Sequence, residues 1–110
     1  MLTRSHGVDP AQVPAGAYLL DVRESDEWAA GHAPQAHHVP MYDVPSRLDE
    51  IPADGDVVVV CRVGARSAQV VGYLLAAGRT NVANLDGGML AWVRAGRPIV
   101  TEHGGVAQVA

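Results

Sequence analysis

The fold of this chain is decided by one stretch, which reads VVVVCRVGARS from Val57 to Ser67. A continuous run of β-branched residues bounded by polar residues is typical of a strand that is buried on both faces. Gly64 permits a tight turn because glycine adopts positive φ without strain, and a helical pattern begins directly after it. Cys61 is therefore predicted to lie between the carboxyl end of a strand and a helix amino terminus, where open α/β sheets bind their ligands.

This position can activate a thiol. The thiolate is the reactive form of cysteine, and lowering an ordinary pKa of ~8.5 by two units needs roughly 2.7 kcal/mol. A helix dipole usually contributes only about 0.3–1 kcal/mol, whereas one charge-assisted hydrogen bond contributes about 1.5–3 kcal/mol. A curled loop whose amides point at the sulfur would therefore be sufficient. The alternative is an inert core thiol, the ordinary role of a lone cysteine.

The rest of the chain alternates between strand and helix patterns, which predicts an α/β fold with a mostly parallel sheet covered on both faces. Strands are predicted at 18–22, 37–40, 57–60 and 82–85. Helices are predicted at 25–30, 42–51, 65–77 and 89–94, with one helical turn within 8–14. We expect one domain over 1–100 and a frayed tail over 101–110.

Composition narrows the classes of function. The chain has 110 residues, 48% of them apolar, and a net charge of −4, which disfavours nucleic acid and acidic membranes as partners. It contains no lysine, so Schiff-base chemistry is excluded, and one cysteine allows no internal disulfide. The amino terminus lacks a signal-peptide pattern and no segment is long enough to span a membrane, so we expect a cytoplasmic protein. The five histidines do not suggest a metal site.

Three motifs together resemble the rhodanese family. The first is the DVRE motif at 21–24, followed by Glu27-Trp28 and the GHAPQA segment at 31–36. The second is the CRVGARS loop at 61–67, and the third is LDGG at 85–88, with Ala91-Trp92 after it. The resemblance covers roughly residues 17 to 98. It implies a single rhodanese domain with a five-stranded parallel sheet.

The resemblance also implies sulfurtransferase chemistry without a metal or organic cofactor. Cys61 would take the sulfane sulfur of a small anionic donor such as thiosulfate, or of a persulfide, and pass it to cyanide or to a small-molecule or protein thiol. Such covalent catalysis in two steps predicts ping-pong kinetics. The remaining loop residues would bind the substrate: Arg62, Val63, Gly64, Ala65, Arg66 and Ser67. Nothing in the sequence fixes the oligomeric state, although a monomer is plausible at this size.

Residues outside the loop have expected supporting roles. Asp21 and Arg23 are expected beside the site, near the carboxyl end of their strand. By resemblance, Asp21 could hydrogen-bond the loop and hold it in shape, or the two could form a purely structural ion pair. Glu27 is expected to be a structural or helix-capping partner. Some thiosulfate-specific relatives place a substrate-binding arginine in this region, and Glu27 does not supply one, so thiosulfate preference is in doubt. Trp28 and Trp92 are expected mainly to pack, with Trp92 supporting the site.

Two other functions remain open. Cysteine-dependent phosphatases carry a Cys-x5-Arg loop, and the extra residue makes room for a tetrahedral phosphate, whereas Cys61 and Arg66 form Cys-x4-Arg. The shorter loop favours sulfur over phosphate or arsenate chemistry. A non-catalytic module that recruits a protein or senses sulfur or oxidants is the other alternative, since an exposed thiol of low pKa is easily oxidised.

Gly87 and Gly88 are expected to form the turn from strand to helix.

Overall fold

The structure, a computed structural model, describes residues 6–110. Its centre is a five-stranded sheet in which every neighbouring pair of strands is parallel. The spatial order is β1-β5-β4-β2-β3, with β1 at Gly7–Val8, β2 at Tyr18–Asp21, β3 at Ala36–His38, β4 at Val57–Val60 and β5 at Val82–Leu85. The predicted α/β class is confirmed. The predicted domain range begins at residue 1, so its first five residues lie outside the described part.

Within residues 6–110, three α-helices each come shortly after a strand and lie close to their predicted positions. They are α1 at Ser25–Ala30, α2 at Ala65–Ala76 and α3 at Gly88–Arg94, each within one residue of its predicted bounds. The α-helix predicted over 42–51 is wrong, because this segment forms two 3-10 helices, Met41–Asp43 and Pro45–Glu50. Pro45 has no amide hydrogen to donate, and Arg47 leaves helical geometry at φ −118° and ψ 22°.

The four valines of β4 pack alternately against the two faces of the sheet. Val57 and Val59 lie in the core beneath α2 and the 3-10 helices, together with Cys61. Val58 and Val60 lie in the opposite core, which contains Met89 and Trp92 of α3. Successive side chains of a strand point to opposite faces, so a strand in the middle of a two-sided sheet must be apolar at every position. The predicted coverage of both faces is confirmed.

The remaining differences from prediction are small. The strand predicted at 37–40 begins one residue earlier and ends at His38. The single turn predicted within 8–14 is a 3-10 helix at Pro10–Gln12. Strand β1 is not predicted, because two residues are too few to show a periodic pattern.

The carboxyl-terminal tail, expected to fray, packs on the domain instead. The amide of Gln108 donates to the carbonyl oxygen of Ala30 over 2.9 Å, and Val109 packs against the core that contains Trp92. Earlier in the tail, Glu102 accepts a 3.0 Å hydrogen bond from the indole of Trp28. The hydrogen-bond partners Ala30 and Trp28 are more than 70 residues away in sequence, which is why the tail carries no local signal of order.

The direction in which the chain adds successive strands to the sheet changes at β4. From β2 the chain moves outward to β3, and from β4 it moves the other way to β5. The carboxyl ends of β2 and β4 therefore flank a switch point of the kind at which open α/β sheets bind ligands. Within residues 6–110, no helix has the length and apolar character that crossing a bilayer requires.

Candidate active site

The loop after β4 curls around the sulfur of Cys61. Gly64 makes this possible, because its φ of +107° is a left-handed conformation, as predicted, and α2 begins at the next residue. The amide of Gly64 donates a hydrogen bond of 3.0 Å to Sγ of Cys61. The sulfur therefore lies in a turn of main-chain N–H groups at the amino end of α2, where negative charge is stabilised.

Cys61 experiences opposing influences on its ionisation. It is only 1% exposed, and burial raises the pKa of the thiol. Hydrogen bonds act in the other direction: they come from the Ser67 hydroxyl and from the amides of Ser67, Gly64 and Val63. Their sum outweighs burial and brings the pKa of Cys61 below its ordinary value. The sulfur is buried, yet polar donors face it, so it differs from an inert core thiol.

Ser67 is fully buried in the first turn of α2 and contacts the sulfur directly. Its Oγ lies 3.2 Å from Sγ of Cys61. The same Oγ is hydrogen-bonded to Oδ1 of Asn84, near the carboxyl end of β5. Nδ2 of Asn84 in turn lies 3.2 Å from the carbonyl oxygen of Gly64. Asn84 thus contacts the loop at its middle, through Gly64, and at its end, through Ser67.

The start of α3 supports the loop from below. The amide of Met89 donates to the carbonyl oxygen of Cys61 over 2.8 Å, and that of Leu90 to the carbonyl oxygen of Arg62 over 3.2 Å. Gly88 allows this approach, since a Cβ there would lie 2.5 Å from backbone atoms of Cys61 and Arg62. Gly87 and Gly88 form the predicted turn into α3, both with positive φ.

Arg66 turns its guanidinium toward Glu27. The two side chains form paired hydrogen bonds of 2.7 and 2.8 Å, and the Arg66 bond lowers the pKa of Glu27 to about 2. Glu27 also accepts a 3.0 Å hydrogen bond from the amide of Glu24, which confirms its role as a capping partner of α1. Arg66 therefore ties α2 to α1 and does not present a free guanidinium to a substrate.

The other loop side chains face outward. Arg62 is exposed and donates from Nε to the carbonyl oxygen of Ala110 over 2.9 Å. Val63 is 51% exposed, and Ala65 is exposed at the first position of α2. Arg62, Val63 and Ala65 thus form the rim of the loop, while Gly64 and Ser67 contact the sulfur.

Asp21 and Arg23 form the structural ion pair of the two alternatives given above. Both are fully buried, and Arg23 donates to the Asp21 carboxylate from Nε and Nη2, the latter over 2.8 Å. Arg23 also donates 2.8 Å to the carbonyl oxygen of Gly31, so the pair joins the end of β2 to the end of α1. Within residues 6–110 the Asp21 carboxylate accepts from the amide and side chain of Arg23 and not from the Cys61 loop, where the resemblance had suggested a contact.

The two tryptophans pack, as expected. Trp92 is fully buried, donates from Nε1 to the carbonyl oxygen of Pro98, and lies in the core on the other face from Cys61. It supports the site only as part of α3. The Trp28 ring stacks with the rings of His32 and His38, at centroid distances of 3.5 and 4.8 Å. Among residues 6–110, no three side chains of His, Cys, Asp or Glu are grouped to hold a metal.

Asn84 is the site residue that sequence reasoning missed. A single asparagine inside a short apolar strand carries no periodic or motif signal. Its position near the carboxyl end of β5, the strand beside β4, is a usable clue, because the ends of neighbouring parallel strands meet at one edge of the sheet.

Comparison with known proteins agrees with this geometry. A family model described as the rhodanese-like domain matches residues 8–95. A protein named "Sulfurtransferase" from Allochromatium vinosum is 49% identical over 86 residues, which cover 78% of this chain and 80% of that protein. "Putative sulfurtransferase YtwF" from Bacillus subtilis is 45% identical over 75 residues, which cover 68% of this chain and 72% of that protein. The crystal structure of a rhodanese-related protein from Thermoplasma volcanium superposes with a TM-score of 0.81 at 27% identity, over 87% of this chain and 98% of that one.

The fold and the loop together define a parallel α/β domain that holds a cysteine sulfur in a cradle of amides. The family match covers most of the chain, and the alignments with the two relatives cover most of each relative's length. The chain belongs to the rhodanese-like domain family.

Proposed function

We propose that this protein is a sulfurtransferase that carries a sulfane sulfur as a persulfide on Cys61. The observation that carries the proposal is the set of hydrogen-bond donors around Sγ, above all the Gly64 amide at 3.0 Å and the Ser67 hydroxyl at 3.2 Å. Donors fixed around a sulfur stabilise the thiolate before the reaction and the anionic sulfur that forms during it. The sulfurtransferase names of the relatives agree with this chemistry.

The reaction proceeds in two displacements. The Cys61 thiolate attacks the outer sulfur of the donor, a new bond forms between the two sulfurs, and the remainder of the donor leaves with the electron pair of the broken bond. With thiosulfate the leaving group is sulfite. An acceptor nucleophile then attacks the outer sulfur of the persulfide, and Cys61 leaves as a thiolate. No net oxidant is required, and the first product leaves before the acceptor reacts, which gives ping-pong kinetics.

The arginines bear on the choice of donor. Arg66 is held by Glu27 over 2.7 Å, and Arg62 contacts Ala110. A doubly charged donor such as thiosulfate gains most from a free, forked guanidinium. We therefore expect a low-molecular-weight persulfide to load Cys61 faster than thiosulfate does. Comparing the loading rates at equal concentration tests this, and faster loading by thiosulfate would contradict it.

The same ion pair disfavours a phosphatase. In a cysteine-dependent phosphatase the arginine of the loop binds the phosphate, whereas Arg66 here is engaged by the Glu27 carboxylate through two hydrogen bonds. The Cys-x4-Arg loop is also one residue shorter than that reaction uses. If the unmodified protein hydrolyses a generic aryl phosphate faster than Cys61→Ser does, the phosphatase function is supported instead.

One observation favours a non-catalytic recruiting module. Cys61 is 1% exposed, so a donor reaches the sulfur only after neighbouring groups move. A module that no longer turns over would tolerate such burial indefinitely. The exposed rim residues Arg62 and Val63 are the side chains whose movement we expect on substrate entry.

Intact mass distinguishes these functions. The reduced protein is incubated with thiosulfate, or with a low-molecular-weight persulfide, and then weighed. We expect a gain of one sulfur atom that disappears on adding cyanide and does not occur in Cys61→Ser. No gain with either donor would overturn the proposal in favour of the module.

A further inference from the structure

We propose that Asn84 is a positioning residue, which holds the hydroxyl proton of Ser67 away from Cys61 until the sulfur becomes anionic. The inference rests on the proposed role of Cys61 as a nucleophile. It adds a residue of β5 to a site otherwise built from the loop between β4 and α2.

The contacts of Asn84 place it directly behind the sulfur. Oδ1 of Asn84 is hydrogen-bonded to Oγ of Ser67, and that Oγ lies 3.2 Å from Sγ of Cys61. Nδ2 lies 3.2 Å from the carbonyl oxygen of Gly64 and 3.4 Å from Oδ1 of Asp86. The side-chain amide of Asn84 is therefore hydrogen-bonded through both its oxygen and its nitrogen.

The orientation of this amide follows from its neighbours. The carbonyl oxygen of Gly64 and the carboxylate of Asp86 are acceptors, so the amide nitrogen must face them. A reversed side chain would place three acceptors together and leave the NH2 group against the hydroxyl. Oδ1 of Asn84 carries no hydrogen, and it can only accept from Ser67.

Ser67 therefore has two acceptors and one proton. A hydroxyl has a single O–H to donate, and both Oδ1 of Asn84 and Sγ of Cys61 lie within its reach. When Cys61 is a thiol, its own S–H can donate to Ser67, and Ser67 donates to Asn84. When the thiol proton leaves to solvent, the hydroxyl turns about its C–O bond and donates to the anionic sulfur instead.

This competition has a consequence for both displacements. Asn84 favours the states in which Sγ carries no charge, namely the thiol and the persulfide, whose charge lies on the outer sulfur. It makes the thiolate somewhat less stable and therefore more nucleophilic, since the nucleophilicity of a thiolate rises with its pKa. Ser67 remains available to donate when Sγ leaves with negative charge in the second displacement.

Charged side chains on the elements around the loop also act on this sulfur. The Cys61 charge and the Arg66 guanidinium interact directly. The charged side chains that the test leaves unchanged are Asp21, Arg23, Glu27, Arg62, Arg66 and Asp86. Because the four proteins of the double-mutant cycle differ only at the uncharged residues Ser67 and Asn84, the contribution of these charges cancels between them.

The test is a double-mutant cycle on the thiol itself, without any sulfur donor. The ionisation of Cys61 is followed by the ultraviolet absorbance of the thiolate, with Cys61→Ser subtracted, in the unmodified protein, Asn84→Ala, Ser67→Ala and the double variant. We expect Asn84→Ala to lower the pKa of Cys61 by about 0.7 unit, the shift given by one competing hydrogen bond of about 1 kcal/mol. In the Ser67→Ala background the same change should shift the pKa by nothing measurable.

The cycle separates this role from a structural one. A shift of equal size in both backgrounds would show that Asn84 acts through Gly64 and would overturn the proposal, as would a raised pKa in Asn84→Ala. Asn81→Ala is the matched control, because Asn81 bonds the carbonyl oxygens of Pro52 and Gly55 at the other end of β5. We expect it to leave the pKa of Cys61 unchanged.

Asn84→Asp keeps the test decisive if Asn84→Ala does not fold. Its negative charge raises the pKa of Cys61 in either background, but it also competes harder for the Ser67 proton. The rise should therefore be larger with Ser67 than with Ser67→Ala, and equal rises would overturn the proposal. Since the thiol is measured without a donor, a failure here is distinct from a failure to form a persulfide.

Discussion

Single residues decide whether Cys61 is a core thiol or a nucleophile. At 1% exposure, Cys61 has the burial of an inert cysteine. Cys61 differs from an inert cysteine in the hydrogen-bond donors that face its sulfur. The left-handed backbone of Gly64 directs the amide of that residue at the sulfur. Residues that shape or brace this loop should therefore matter as much as those that contact substrate.

Glu27→Gln tests the brace between α1 and α2. Glutamine keeps an oxygen that can cap α1 but loses the charge paired with Arg66. We expect a loss of about 1–2 kcal/mol in unfolding free energy near neutral pH, below the full value of the pKa shift because Arg66 is 34% exposed. Urea unfolding measures it.

The pH dependence of this pair has a definite sign. The pKa of Glu27 falls from 4.5 to about 2 on folding. The unfolded chain therefore binds more protons between these values, and stability rises with pH there. The contribution is complete above about pH 5 and is lost as the pH falls toward 2, so the unmodified protein and Glu27→Gln should converge in acid.

Glu50→Gln is the matched control for this variant. Glu50 accepts two hydrogen bonds of 2.8 Å from Arg47 in similar geometry, but the pair lies at the surface. Exposed pairs contribute little. A loss in Glu50→Gln as large as that in Glu27→Gln would contradict the special role given to the Arg66 pair.

Gly88→Ala tests the contact between α3 and the loop. The added Cβ would lie 2.5 Å from the backbone of Cys61 and Arg62, at a residue with φ of +60°. We expect a loss of at least about 2 kcal/mol in stability, from steric overlap and backbone strain together, and a marked loss of sulfur loading. Thermal unfolding and intact mass measure the two effects.

Gly96→Ala separates strain from overlap. Gly96 also has positive φ, at +79°, but an added Cβ would meet nothing within 4 Å. Its cost should be limited to about 1–2 kcal/mol of backbone strain, with loading intact. Equal effects of the two variants would show that the approach of α3 to the loop is unimportant.

At the scale of elements, we propose that the length of the turn from β4 to α2 suits the loop to a single sulfur atom. Inserting one glycine between Gly64 and Ala65 would widen the turn and move the amides and Ser67 away from Sγ. We expect persulfide formation to fall to the level of Cys61→Ser while the sheet remains folded, as judged by circular dichroism. Unchanged loading would show that the tight turn is irrelevant.

Local signals explain why the sequence predicts this element well. The β4 strand, the glycine and the start of α2 are contiguous, and each has a backbone preference of its own. The segment from Met41 to Glu50 was misjudged because apolar spacing alone does not distinguish an α-helix from two 3-10 turns separated by a kink. Cys61 and Gly64 could therefore be placed from sequence, and the turn type of the 41–50 segment could not.

At the scale of the molecule, contacts distant in sequence complete the site. Arg66 meets Glu27 across 39 residues, and Arg62 meets Ala110 across 48. Substrate binding by the two arginines stays a prediction, but one sequence could not show that each already has a protein partner. Asn84 was missed for the same reason, because its meaning depends on Ser67, which lies in a different element.

Gly31→Ala tests the docking of the tail. A Cβ at Gly31 would lie 2.5 Å from the backbone oxygen of Gln108 and 2.8 Å from its nitrogen. Such overlap costs about 1–3 kcal/mol, so the tail should detach while the rest of the domain stays folded. Hydrogen exchange should show the Gln108 amide losing protection.

Gly72→Ala serves as the control for that variant. An added Cβ at Gly72, in the middle of α2, would meet nothing within 4 Å. Alanine should stabilise the helix by about 0.5–1 kcal/mol and leave the Gln108 amide protected. Retained protection of Gln108 in Gly31→Ala would contradict the packing of the tail described above.

Titration of Cys61 shows directly whether the loop activates its sulfur. Thiolate absorbance is titrated in the folded protein and in urea, each against Cys61→Ser. If the amides and Ser67 outweigh burial, the folded protein titrates below the ordinary thiol pKa and the unfolded chain returns to it. A folded pKa equal to or above that of the unfolded chain would show that burial prevails and that the loop does not activate Cys61.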